Sequence, residues 1–156
     1  RVFDRGSPMT VLRAARSTDA GAVGGILTEF AATTPWMPRL HTGAEDIAHA
    51  GALIHRGWVT VAVEKDAVIA FSACDGVDLD ALYVMAHARG NGVGSTLLDR
   101  LKRQTPVLEL WTFQANHAAH RFYERHGFFE VTKTNGARND EKLPDIKYRW
   151  QKEADG

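Results

Sequence analysis

DALYVMAHARGNGVGSTLLDRLK, residues Asp80–Lys102, reads as the end of a strand, a glycine-rich turn and a helix in succession. The strand starts at Asp78, and its Leu79, Leu82, Tyr83 and Val84 are residues that favour pleated backbone. In the turn, Arg89-Gly-Asn-Gly-Val-Gly-Ser95, glycine recurs at 90, 92 and 94. Such spacing removes Cβ atoms where the chain approaches something closely or takes positive φ. Val93, Leu97, Leu98 and Leu101 then repeat at the interval of one buried helical face. A glycine turn opening a helix leaves several N–H groups without intrahelical acceptors, at the positive end of the helix dipole. A phosphate fits there. A plain tight connection is the alternative.

Two other phosphate motifs are excluded. A P-loop requires Gly-x4-Gly-Lys-Ser/Thr, and no such lysine is present. A dinucleotide fold places its glycines after the first strand, whereas this turn lies past the middle of a short chain.

Composition narrows the rest. A length of 156 residues suits one domain, and 44% hydrophobic with 24% charged residues is that of an ordinary soluble protein. Lysines and arginines number 19 against 19 acids, so no basic surplus points to nucleic acid. No apolar run reaches the ~20 residues of a membrane span. The single cysteine, Cys74, excludes an internal disulfide and fits a reducing cytoplasm. The seven histidines form no His-Glu-x-x-His, and His117 and His120 lack an evident third ligand, so no metal is expected. Gly6-Ser-Pro-Met9 looks like a cloning junction, so residues 1–8 are expected to be a tag remnant and 9–156 one domain.

Outward from the central stretch, the chain alternates strands and helices. Thr10–Ala15 is predicted as a strand, followed by a helix capped by Ser17 or Thr18, with Val23, Ile26, Leu27 and Phe30 on its apolar face. Gly21, Gly24 and Gly25 either allow that helix to pack closely or leave it mobile. Pro35 and Pro38 mark Ala31–His41 as a loop, and Thr42-Gly-Ala-Glu45 is a capping box for a second helix. Trp58–Glu64, Val68–Cys74 and Asp78–Val84 form a three-strand meander into the glycine turn. Pro106–Thr112, Phe128–Lys133 and Ile146–Gln151 are later strands, and Asn116–His126 is a short helix ended by Gly127.

The glycine turn resembles the coenzyme-binding motif of the GNAT N-acetyltransferase superfamily, with Arg89 in the position usually held by glutamine or arginine. A second block strengthens the resemblance: Asn116 opens a helix, Phe122 and Tyr123 follow six and seven residues later, and Gly127-Phe128 closes it. Together the two blocks span about residues 58 to 134. The resemblance implies an α/β (α+β) single-domain fold, with a central mixed, mostly antiparallel sheet of six to seven strands flanked by about four helices. It implies an acetyl-CoA-dependent N-acetyltransferase acting on a primary amine, without a metal, and often dimeric. Leu82, Tyr83 and Val84 would pair with the pantetheine arm. Arg89, Gly90, Asn91, Gly92, Val93, Gly94 and Ser95 would hold the diphosphate. Asn116 and Phe122 would complete the coenzyme site.

Tyr123 is the expected general acid. A phenol, reference pKa ~10, can donate to a departing thiolate of reference pKa ~8.5 within hydrogen-bond reach. The plain alternative is a core tyrosine with its hydroxyl at a rim. Asp78 and Asp80 lie two apart on one strand face, and either could relieve an ammonium of its proton. Glu109 is a weaker candidate, two residues before Trp111, which stands where other branches carry a glutamate. The acceptor pocket is expected between Trp36, Met37, His41 and Trp111, the second helix and the loop near Asn139. Cys74 reads as a small core residue or, less simply, a covalent acetyl carrier. A non-catalytic acyl-CoA binding module and a nucleotide-phosphate binder are the competing functions.

Overall fold

The computed structural model describes residues 10–153; the expected tag, residues 1–8, and Met9 lie outside them. Among the described residues the order is β1 (Val11–Ala14), α1 (Ala20–Thr33), α2 (Gly43–His55), β2 (Val59–Glu64), β3 (Ala67–Asp75), β4 (Asp78–Val84), α3 (Val93–Gln104), β5 (Val107–Phe113), α4 (His117–Arg125), β6 (Phe129–Thr134) and β7 (Asp145–Gln151). Single 3₁₀ turns fall at Ser17–Asp19 and Ala86–Ala88. The strands form one seven-stranded sheet in the order β1-β2-β3-β4-β5-β7-β6. Only β4 and β5 are parallel. This is the mixed, mostly antiparallel sheet with four helices that the resemblance implied.

Both faces of the sheet are covered, which explains why neighbouring residues such as Val61 and Ala62 are both fully buried. On one face Val23 and Ile26 of α1 and Ala50 and Leu53 of α2 pack on Val59, Val61, Phe71 and Ala73. On the other, Val93 and Leu97 of α3 pack on Ala62, Ile69 and Ala70. Leu98 and Leu101 join Tyr123, Leu108, Leu110, Ile146 and Tyr148 in a second cluster on that side.

The helix starts divide by chemistry. Thr42 and Glu45 make the reciprocal capping box: Glu45 N donates to Thr42 Oγ1 at 3.1 Å and Thr42 N to Glu45 Oε1 at 2.8 Å. The cap expected from Ser17 or Thr18 is not made. Those residues form the 3₁₀ turn, and α1 begins after Asp19, whose carboxylate accepts from Arg16 N at 2.7 Å and binds the Arg13 guanidinium. Of the three α1 glycines, only Gly24 serves close packing: a Cβ there would lie 2.6 Å from the Ile47 Cα of α2. Gly21 and Gly25 face open space.

Two irregularities in β4 shape the molecule's centre. Ala73 pairs with Ala81 but Cys74 with Leu79, so Asp80 is an extra residue, a β-bulge. The bulge resets the alternation. Leu79, Leu82 and Val84 pack toward α3, whereas Ala81 and Tyr83 pack toward α1 and α2. Beside it, β4 and β5 are joined by a single bridge, Asp78 with Glu109, and by Glu109 N donating to Val77 O at 2.8 Å. Past that point the strands part, and the far half of β4 has no partner on its β5 side.

Candidate active site

The open edge of β4 presents unused main chain. Met85 N donates to Ile69 O of β3 at 2.8 Å. By the alternation of an antiparallel ladder, the N–H and C=O groups of Val84 and Leu82 point the other way, into the gap. Arg89 folds back there, its Nε donating to Val84 O at 3.0 Å, while α1 steadies the strand end through Glu29, which accepts from Ala86 N at 2.9 Å. The turn that follows takes positive φ at Gly90 (83°) and Gly92 (82°). A Cβ at either would meet nothing within 4 Å, so these two glycines serve conformation rather than approach. Gly94 is the close-packed one: a Cβ there would lie 3.4 Å from Phe122 Cζ. Asn91 turns inward, its Nδ2 donating to Ala88 O at 3.4 Å. Among the described residues, none of the amides from Gly90 to Ser95 donates to a main-chain acceptor; the first to do so is Thr96, to Gly92 O at 3.0 Å. Six N–H groups at the start of α3 are thus left without a protein acceptor, and a helix start of this kind favours an anion.

The gap between β4 and β5 is lined by Tyr123. It is a slot of about 80 Å³ bounded by Leu82 and Tyr83 on one side, Leu110 and Thr112 on the other, and Asn116, Ala119 and Tyr123 of α4. Tyr123 is 7% exposed and packed against Phe122 and Phe128, with ring centroids 5.1 and 5.2 Å away. Its hydroxyl has no hydrogen-bond partner among the described residues. Burial holds its pKa well above the ordinary phenol value, with Tyr83 adding to the effect. Asn116 caps α4, its Oδ1 accepting from Ala119 N at 3.2 Å, which leaves its amide nitrogen toward the slot free to donate.

On the α1–α2 side the slot opens into a cleft of about 600 Å³. Phe30, Asp80 and Tyr83 line both spaces. The bulge is the reason: with strict alternation Asp80 and Tyr83 would face opposite sides of the sheet. Tyr83 is pushed up to about 12 by burial, helped by Glu141 and Asp80. Met37 and His41 line the cleft as expected, with Asp140 and Glu141 from the β6–β7 loop opposite. Trp36 does not. It stands edge-on between Phe30 (6.2 Å) and Phe113 (5.7 Å), bracing the α1–α2 loop against β5. Trp111, 51% exposed, lines the slot and also a neighbouring hollow of about 460 Å³ that it shares with Asp78 and Trp58.

The carboxylates are therefore unlike one another. Asp80 borders the slot that holds Tyr123, whereas Asp78 lies where β4 and β5 are still joined and borders only the outer hollow. Glu109 is committed elsewhere: Arg149 Nε and Nη2 lie 2.6 Å from its Oε2, and Lys147 Nζ lies 3.2 Å from its Oε1. Those hydrogen bonds hold its carboxyl below the usual range, so it is a poor proton acceptor. Cys74 donates from Sγ to Gly76 O at 3.4 Å, and burial, with Asp78 and Asp75, pushes its thiol up to about 11. The thiolate that covalent catalysis needs is scarce at that value. The sequence reading missed Glu29 and Phe30, whose positions carry no motif, and it named the loop near Asn139 without singling out its Asp140 and Glu141.

A single α/β domain with a split parallel strand pair and a glycine turn at the split is the acetyltransferase arrangement, and sequence comparison agrees. The Acetyltransferase (GNAT) domain family matches residues 55–130. Over that stretch, just under half of its length, the chain is similar to the GNAT superfamily. It is 34% identical over 71 residues to the peptidyl-lysine N-acetyltransferase YjaB of Escherichia coli K12, a match covering 46% of this chain and about half (48%) of that relative's length. The apo solution structure of YjaB superimposes with a TM-score of 0.75 at 20% identity, over 92% of this chain and 99% of that one. The yncA structure from Salmonella typhimurium, a putative acetyltransferase solved with its cofactor acetyl-CoA, gives 0.72 at 20% identity over 94% and 96% of the two chains. No helix among the described residues is long and apolar enough to cross a membrane.

Proposed function

We propose that the protein is an acetyl-CoA-dependent N-acetyltransferase whose acceptor is a cationic primary amine. The observation that carries this is the β4–β5 slot, which Tyr123 lines and which shares Phe30, Asp80 and Tyr83 with the cleft, while the amides of Gly90–Ser95 at the start of the next helix lack protein acceptors. The diphosphate of the coenzyme fits the turn. The pantetheine arm would run along the free edge of Leu82 and Val84 as an extra strand. The thioester supplies the acetyl group.

The chain's own residues account for the remaining chemistry. Asp80, at the junction of slot and cleft, receives the acceptor as an ammonium and draws off the proton that blocks attack, directly or through water. A main-chain N–H at the open end of β4 meets the carbonyl oxygen as its charge grows. As the new N–C bond forms and the C–S bond breaks, Tyr123 gives its proton to the sulfur, and the second proton shed by the attacking nitrogen returns through water to the phenolate. Burial keeps the phenol protonated but makes it a weaker acid, and the same dry slot offsets this by raising the pKa of the departing thiol. Asp140 and Glu141 would hold a second positive charge on a longer acceptor. A peptide lysine, the class that YjaB's name records, is one such amine.

The test is a thiol-release assay across lysine peptides, diamines and neutral amines. Turnover concentrated on the cationic amines supports the reading. Coenzyme binding without turnover on any amine favours a non-catalytic acyl-CoA sensor.

A further inference from the structure

The α3 turn has a partner in α4 that the scheme above does not use. Ser95, the third residue of α3, has its Oγ 2.9 Å from Nε2 of His126, the residue that caps the end of α4. The imidazole is held from several sides. Its ring lies 4.7 Å from Phe122, the ring that also covers Gly94, and its main-chain oxygen accepts from Lys102 Nζ at 2.5 Å. Both Ser95 and His126 are half-buried.

The hydroxyl and the imidazole share one proton arrangement or the other. If Ser95 donates to Nε2, its proton is spent and its oxygen turns lone pairs toward anything on the turn. If Nε2–H donates to Ser95, the hydroxyl proton is free for an acceptor beyond. A diphosphate beside Ser95 distinguishes the two states, repelling the first and accepting a charge-assisted hydrogen bond from the second.

We propose that His126 is a positioning residue for the coenzyme, donating to Ser95 Oγ so that the Ser95 hydroxyl points its proton at the diphosphate. This rests on the reading of Gly90–Ser95 as the diphosphate cradle. In the neutral imidazole the coenzyme selects the Nε2–H tautomer. In the imidazolium, Nε2–H is present in any case and the added charge favours the anion.

The sign of the pH effect follows. Burial lowers the His126 pKa from the ordinary imidazole value, and Lys102 and Arg125 lower it further while Asp99 opposes them. These are the charged groups that α3 and α4 turn toward the ring. An anion on the turn raises the pKa again, so binding takes up a proton. Affinity therefore rises as pH falls through the imidazole range and levels off below the free protein's value.

Dephospho-coenzyme A is the suitable probe, because it lacks the 3′-phosphate that titrates in the same range. Its affinity is measured by calorimetry from about pH 5.5 to about pH 8 on the wild type, Ser95→Ala, His126→Phe and His126→Gln, each checked for a cooperative melt. Ser95→Ala and His126→Phe should each bind about tenfold more weakly, the value of one hydrogen bond to a charged group, and lose the pH dependence. The amide of His126→Gln is a permanent donor, so this variant should recover most of the affinity and remain flat with pH. In the unsubstituted protein, the nitrogen resonances of His126 should move toward Nε2–H on saturation with ligand, and its pKa should rise. A wild-type pH profile shared by His126→Gln, or imidazole resonances indifferent to bound ligand, overturns the role of His126 while the coenzyme site stands. Failure of the wild type to bind the probe at any pH refutes the coenzyme reading itself, and this inference with it.

Discussion

At the scale of single residues, groups that look alike in sequence occupy different places in the fold. Tyr83, half-buried, and Tyr123, buried, both line the slot, yet only Tyr123 belongs to α4 and stands against the sulfur's expected path. Replacing Tyr123 by Phe should cut kcat by roughly 10²- to 10⁴-fold, the range for a lost general acid, while leaving coenzyme affinity unchanged in calorimetry. Because burial keeps this phenol protonated, the pH–rate profile should not fall between about pH 8 and about pH 10 through loss of the acid. Asp78 and Asp80 divide in the same way. Asp80→Asn should lower kcat/KM for cationic amines by at least about tenfold, and Asp78→Asn should leave it near the wild-type value. Steady-state kinetics on one diamine decides between them. The placement of Tyr123 on α4 was legible from its position seven residues after Asn116. The division between the aspartates was not, because it depends on where β4 and β5 separate, and nothing local in either strand records that.

At the scale of elements, the sequence reading found every helix and strand of the described chain because each carries a strong local signal. The capping box at Thr42 to Glu45 and the 3.6-residue stripe from Val93 to Leu101 are physical determinants and not only patterns. What it did not contain was the bulge at Asp80. An irregular pairing is set by two strands together, and strict alternation along Asp78–Val84 gives no hint that Tyr83 joins the face of Asp80. The three glycines of α1 were equally ambiguous until α2 was in place. Their difference is testable. A Cβ at position 24 would meet Ile47 main chain at 2.6 Å, so Gly24→Ala should destabilise the fold by about 1–3 kcal/mol through overpacking. Gly25→Ala faces open space and should stabilise it by up to about 1 kcal/mol through helix propensity. Urea unfolding of the two variants should give midpoints on opposite sides of the wild type.

At the scale of the molecule, the fold is a sheet buried on both faces and split in the middle, and the site occupies the split. All three tyrosines of the chain are raised: Tyr83 and Tyr148 to about 12, chiefly by burial, and Tyr123 in the same direction and for the same cause. Above pH ~10 the unfolded chain gives up phenolic protons that the folded chain retains, so stability is full below that pH and falls as pH rises beyond it. Absorbance of phenolate should therefore appear together with loss of the circular dichroism of the fold. Gradual titration near pH ~10 in an intact protein would show tyrosines far more open than these. The most direct test of the central claim is a crystal structure of the protein with acetyl-CoA. The account predicts diphosphate oxygens on the amides of Gly90–Ser95 and a sulfur within about 3.5 Å of the Tyr123 hydroxyl. Coenzyme bound away from the β4–β5 split, or a sulfur out of reach of Tyr123, would contradict it.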